Sequence, residues 1–116
     1  MKIDTTKVLK NLKGGEMKML SSETVNGAEV AKESPMVLRE IITNLLNMGS
    51  NEHRLTAEYK NKAFQIMKKL WDSKEADLTV DQRALIKERA LLFLPTMTAG
   101  LITEELEEKE VSGNSK

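Results

Sequence analysis

A chain of 116 residues with 40% hydrophobic content is long enough to bury one modest core and too short for two. Its 18 basic residues balance 18 acidic ones, so the chain as a whole exerts no net pull on nucleic-acid phosphates or anionic lipid. The lack of cysteine excludes disulfides, thiolate nucleophiles and thiolate metal sites, and the short apolar runs exclude a bilayer-spanning helix.

Residues 1–33 read as an N-terminal arm, because turn residues interrupt every apolar pattern there. Lys2 has no apolar stretch behind it, so the start does not read as a secretory signal, and with no cysteine a cytoplasmic setting is expected. Gly14-Gly15 supplies the freedom that a tight turn needs, so a β-hairpin around it is one expectation. Val8, Leu9 and Leu12 also fit one face of a helix over 5–13, and both alternatives stand. Asn26-Gly27 is a second turn signal. An isolated hairpin is marginal in water, so the arm is expected to lean on the body or on another subunit.

A helical body is expected from residue 34 to about 110. Ser34-Pro35 offers an N-cap followed by a first-position proline, and Val37, Leu38, Ile41, Ile42, Leu45 and Leu46 then follow helical spacing to Gly49. This predicts a first helix over 35–48. A second, over about 52–72, carries Leu55, Tyr59, Ala63, Ile66, Met67 and Leu70 on one side, with Phe64 and Trp71 widening the apolar surface. After a polar connection, Thr79-x-x-Gln82 matches a capping box with Asp81 in the first turn, which starts a third helix over 79–94. Pro95 disfavours helical geometry at Leu94 and predicts a break there. Met97, Leu101, Ile102 and Leu106 carry a fourth helix over 96–108, and residues 111–116 read as a frayed tail. Short connections favour a compact bundle of about four helices. Its expected core is Leu38, Ile41, Ile42, Leu45, Leu55, Tyr59, Ile66, Leu70, Leu85, Ile86, Phe93, Leu101 and Ile102.

Chemistry finds few candidate residues. His53 is the sole histidine, so a Cys-His pair or a multi-histidine metal site cannot form within one chain. Glu104, Glu105, Glu107 and Glu108 lack the alternating ligands and turn glycine of a calcium loop, and Gly14-Gly15 lacks the Lys-Ser/Thr of a phosphate loop. No catalytic residue, metal ligand, cofactor or small-molecule substrate is predicted; an enzyme would need a site shared between subunits. Two surfaces remain. Met17, Met19 and Leu20 in the arm could form an adaptable contact with a protein partner. Arg54, Lys60, Lys62, Lys68 and Lys69 on the second helix, with Arg83, Lys87 and Arg89 on the third, could form a basic face for nucleic acid.

Three groups of residues fall in a recurring order: Lys2-Ile3-Asp4-Thr5-Thr6-Lys7-Val8-Leu9, then Ala76-Asp77-Leu78-Thr79 with Leu85-Ile86-Lys87, then Pro95, Gly100, Leu106 and Glu107. This order resembles that of small proteins encoded by tailed bacteriophages and prophages. Residues 21–33 and the segment after Glu108 depart from the compact pattern. The resemblance brings no catalytic residue with it; it implies a phage-type, non-enzymatic protein in the bacterial host cytoplasm that binds a host or virion protein or assembles with itself. A helical nucleic-acid-binding regulator is the alternative.

Overall fold

The computed structural model describes residues 2–107, and of residues 20–23 the backbone alone. The chain is mainly helical, with α1 (Leu38–Leu46), α2 (Ala57–Asp72), α3 (Val80–Phe93) and α4 (Thr96–Leu106) forming a compact four-helix body. The strands go beyond a single N-terminal hairpin. β1 (Lys2–Asp4) pairs antiparallel with β4 (Glu75–Asp77), and β2 (Lys18–Val25) pairs antiparallel with β3 (Ala28–Pro35). The expected tail at 111–116 lies outside the described residues.

The long ribbon turns at Asn26-Gly27, whose φ angles of 51° and 82° are both left-handed, the geometry that matches the twist of paired strands. Gly14-Gly15 also turns the chain, with Gly14 at φ 89°, the Asn11 N–H donating to the Gly15 carbonyl and the Gly14 N–H to the Asn11 carbonyl. Only the single bridge Lys10↔Glu16 flanks this turn, so it closes a small loop instead of a hairpin, and the alternative helix over 5–13 does not form.

The N-terminal segment earns its place by long-range backbone bonding. Ile3 sits opposite Ala76, and both are buried while their neighbours are exposed. Thr5 is fully buried, its N–H donating to the Lys74 carbonyl and its hydroxyl placed 2.9 Å from the Ser73 carbonyl and 2.8 Å from that of Lys74. The carbonyls of Thr5 and Lys7 in turn accept from the N–H groups of Arg39 and Leu38. Those are first-turn donors of α1 that would otherwise lack partners.

This corrects the expected start of the first helix. Ser34 and Pro35 end β3, and the helix begins three residues later, behind Val37, which makes no side-chain cap. The cap is supplied by a segment about 30 residues away in the chain, which no local motif can announce. Gly49, which stands where a left-handed cap would end the first helix, does not adopt that conformation; a Cβ there would meet Leu55 Cγ at 3.0 Å, so close approach in the α1–α2 loop is what favours glycine. The second helix starts at Ala57, capped by the Thr56 hydroxyl accepting from the Tyr59 N–H, and not near Glu52.

Other local signals translate directly. Thr79 and Gln82 form the reciprocal capping box, and the break at Leu94-Pro95 separates α3 from α4. Leu38, Ile41, Ile42, Leu45, Ile66, Leu70, Ile86 and Ile102 are buried as expected, while Leu55, Tyr59, Leu85, Phe93 and Leu101 are half-buried. Leu9, Leu46, Leu78 and Leu106 complete the core. Early α2 touches late α1, through the Tyr59 hydroxyl donating to the Leu46 carbonyl at 2.8 Å, and late α2 reaches back through Trp71 Nε1 to Thr43 Oγ1 at 2.8 Å. The two helices therefore run antiparallel.

Candidate binding surfaces

His53 lies in the loop before α2. Its N–H donates to Ser50 Oγ, its carbonyl accepts from the Ser50 N–H, and its ring meets Phe93 edge-on at 6.1 Å between centroids. These contacts close the loop onto α3. Glu105 pairs with Lys7 at 2.6 Å, so at this point the lysine-rich start of the chain meets the glutamate-rich end. Among the described residues no group of three or more histidines or carboxylates comes together, and no helix is long and apolar enough to cross a membrane.

The basic residues do not share a surface. Arg89 is 6% exposed, with its guanidinium 4.0 Å from the Tyr59 ring centroid and 5.4 Å from that of Phe93. Arg83 is 9% exposed and donates to the Leu106 carbonyl at 3.3 Å. Both are internal braces that cannot face a phosphate backbone. Lys87 is half-buried. On α2 the cations divide. Lys69 turns toward α3, reaching the Asp77 carbonyl at 3.0 Å and Gln82 Oε1 at 2.8 Å, and Lys62 pairs with Glu58 at 3.2 Å beside the α2–α3 groove. Lys60 lies on the other side of the helix, Lys68 projects between the two sides, and Arg54 is exposed in the loop before it. Helical periodicity alone separates Lys60 from Lys62 and Lys69, which fall about 180° around the helix from it.

The expected partner surface in the arm also changes character. Met17 and Met19 are half-buried and pack against the core, while the Leu20 side chain lies outside the described residues.

Besides Leu12, Val25 and Val30 in the arm, the exposed large apolar side chains lie on or beside two outer helix faces, neither singled out by sequence. On α2, Lys60, Phe64, Met67 and Trp71 are spaced four, three and four residues apart, which places them on one side of the helix. Phe64 is 55% exposed and Trp71 48%. Each aromatic carries a cation: Lys68 Nζ sits 5.3 Å from the Phe64 ring centroid and the Arg39 guanidinium 4.4 Å from that of Trp71. Between this stripe and α1 runs a groove of about 300 Å³, lined by Leu46, Asn47, Leu55, Ala63, Phe64 and Met67. On α3, Val80 and Leu91 are each 69% exposed, and Leu92 is 45% exposed, with Met97 of α4 at 41% beyond the Pro95 corner. Ala84 and the half-buried Lys87 share the phase of Val80 and Leu91, while Asp81 and Glu88 stand to one side, where with Ala84 they line a groove shared with Lys62 of α2.

The signal for the α2 stripe was present in the spacing. Phe64 and Trp71 are seven residues apart and in phase with Lys60, whereas the buried residues Ala63, Ile66 and Leu70 keep a different phase. An aromatic is easily assigned inward by its type alone; its phase puts it outside.

Two titrating groups mark how the scaffold is held. Burial pushes the Tyr59 hydroxyl above its ordinary value of 10, with the Arg89 charge pulling the other way. The bonds that Asp4 accepts from the Thr6 hydroxyl and N–H hold its carboxyl below its ordinary 3.8.

No family model, no curated protein and no solved structure matches this chain.

Proposed function

We propose that this chain is a small, non-enzymatic, phage-type protein that works by binding protein, whether a host or virion component or a second copy of itself. The observation that carries this reading is the pair of outer helix faces, the Phe64/Trp71 stripe of α2 and the Val80/Leu91 stripe of α3. Exposed apolar residues scattered singly are normal on any protein. Four large ones in helical phase on two faces, beside a core that already fills the body, are surface kept ready for contact. The phage-type setting, and with it the bacterial host cytoplasm, rests on the resemblance of the Lys2–Leu9, Ala76–Lys87 and Pro95–Glu107 segments. His53 and Glu105, whose contacts here serve the fold, support a role without chemistry.

The test is capture from a bacterial lysate together with light scattering, run on the parent chain and on Phe64→Ser/Trp71→Ser and Leu91→Ser variants. The parent is expected to retain a partner or to self-associate, and at least one variant to lose that property with its helicity intact. A strictly monomeric parent that retains nothing contradicts the proposal.

A second reading, contact with single-stranded nucleic acid, is favoured by one observation: exposed Phe64 and Trp71, each beside a cation, resemble stacking platforms flanked by phosphate-binding charges. It predicts binding through Arg54, Lys60 and Lys68 that weakens steeply between about 50 and 200 mM salt. Binding that ignores salt over that range removes it.

A further inference from the structure

We infer that Asn26 is a modification site, where the folded chain converts its own side-chain amide, through attack by the Gly27 nitrogen, into an aspartate or isoaspartate linkage. The only other reactant is water.

Asparagine amides are among the thermally labile groups of proteins. Their loss requires a main-chain nitrogen that is free, a following residue with no side chain in the way, and a backbone that can rotate. Asn26-Gly27 meets all three. Both residues are exposed, and the space beside Gly27 is open, since a Cβ built there would meet nothing within 4 Å. Among the described residues neither the Gly27 N–H nor the Asn26 side chain has a hydrogen-bond partner. In a two-residue turn the flanking residues, here Val25 and Ala28, exchange the main-chain bonds, which leaves that N–H unengaged. Ring closure needs the Asn26–Gly27 peptide to leave its left-handed turn, and the ribbon resists little. Every residue of β3 from Ala28 to Glu33 is exposed, so the pairing has no burial behind it and opens locally at small cost.

The other described asparagines each lack a requirement. Asn11 Oδ1 accepts from the N–H groups of Lys13 and Gly15, and Leu12 follows it. Asn44 and Asn61 lie within α1 and α2, where helical bonding holds the next nitrogen. The Met48 N–H after Asn47 donates to the Leu45 carbonyl, and Asn51 is followed by Glu52, which sets a side chain beside the attacking nitrogen.

The Gly27 nitrogen gives up its proton and bonds to Asn26 Cγ as the Cγ–Nδ2 bond breaks, and ammonia leaves with that proton. Water then opens the cyclic imide, and nothing is oxidised or reduced. Opening at Cγ gives aspartate with the main chain unchanged. Opening at the main-chain carbonyl carbon gives isoaspartate, which routes the chain through Cβ and lengthens it by one carbon. Either product makes the formally neutral chain negative by one charge. Isoaspartate no longer suits a two-residue turn, so the pairing outward from Val25↔Ala28 loosens while the helical body keeps its own core.

The experiment ages the whole chain by warming it in neutral buffer, with and without urea, before digestion with trypsin. Cleavage after Lys18 and Lys32 releases residues 19–32, a peptide in which Asn26 is the only asparagine. Without urea its amide is expected to be lost at a rate within a few-fold of that in urea, and ahead of Asn11, Asn44, Asn47, Asn51 and Asn61. Fragmentation should show isoaspartate at position 26. In the aged chain, amide exchange at residues 28–32 should accelerate with the helical circular dichroism unchanged, whereas Asn26→Asp, which adds the charge without the extra carbon, should exchange as the fresh chain does. A peptide that keeps its amide in buffer while losing it in urea would show that the ribbon protects Asn26 and would overturn the inference. Earlier conversion at another of the five asparagines, or parental exchange at 28–32 in the aged chain, would overturn it as well.

Discussion

The helical body and the β2–β3 ribbon are held by different means. Each helix turns a stripe of buried side chains to a shared interior; Leu38, Ile42, Leu45, Ile66, Leu70, Ile86 and Ile102 are all fully buried. The ribbon has complete backbone pairing from Lys18↔Pro35 to Val25↔Ala28, yet β3 is exposed at every residue except Ser34, which is half-buried. Hydrogen bonding without burial contributes little net free energy, since water competes for the same groups. The comparison teaches that in this chain pairing sets the shape of an element and burial sets its strength.

Predictions follow in order of expected size. The largest effect should come from Leu70→Ala, which empties a fully buried site in α2 and is expected to cost about 2–5 kcal/mol in urea unfolding. Val30→Ala, at a position 48% exposed on the ribbon, should change the same measurement by no more than about 0.5 kcal/mol. Comparable costs would erase the distinction between the two regions.

Next is Arg89→Ala, which removes a guanidinium stacked on Tyr59 and Phe93 and should cost on the order of 2 kcal/mol. A neutral result would return Arg89 to the surface role that sequence suggested. Thr79→Ala breaks the capping box of α3 and should cost about 1 kcal/mol. Gly27→Ala, at φ 82°, should cost about 1 kcal/mol as well, but within the ribbon alone. Amide exchange at residues 28–32 should accelerate while the global unfolding transition stays in place; a lowered global transition would mean that ribbon and body unfold together.

The smallest effect concerns pH. The Tyr59 hydroxyl titrates higher in the fold than in the unfolded chain, so its contribution is fully present below pH 10 and is lost as pH rises through the folded value. Tyrosinate absorbance of the parent, which reports Tyr59 alone, should therefore rise only above pH 10, and alkaline unfolding followed by circular dichroism should shift in Tyr59→Phe. An unchanged alkaline transition in that variant would dissociate Tyr59 from it.

How much of this was legible in the sequence depended on the range of the forces. Helix phase, the Thr79/Gln82 box and the Pro95 break act within a few residues, and they located α3, α4 and the end of α2 to within two residues, while α2 starts five residues later than expected. The turn at Asn26-Gly27 is visible as a signal, but Gly14-Gly15 is an equally strong one, and nothing local tells which of the two centres the ribbon. β1 and β4 could not be foreseen. Each is three residues long, Glu75-Ala76-Asp77 reads as polar connection, and the two exist because they pair across the fold. The start of α1 was misplaced for the same reason, its first donors being met by Thr5 and Lys7. Of the basic face, charge alone points Arg83 and Arg89 outward, whereas stacking on Tyr59 holds Arg89 inside and the Leu106 carbonyl holds Arg83.

The most direct test of the central claim, that the outer faces of α2 and α3 serve contact and not the fold, is urea unfolding of Phe64→Ser/Leu91→Ser in dilute solution, where the chain stands alone. The account predicts a stability within about 0.5 kcal/mol of the parent. A loss of about 2 kcal/mol or more would show that these side chains belong to the core after all and would contradict it.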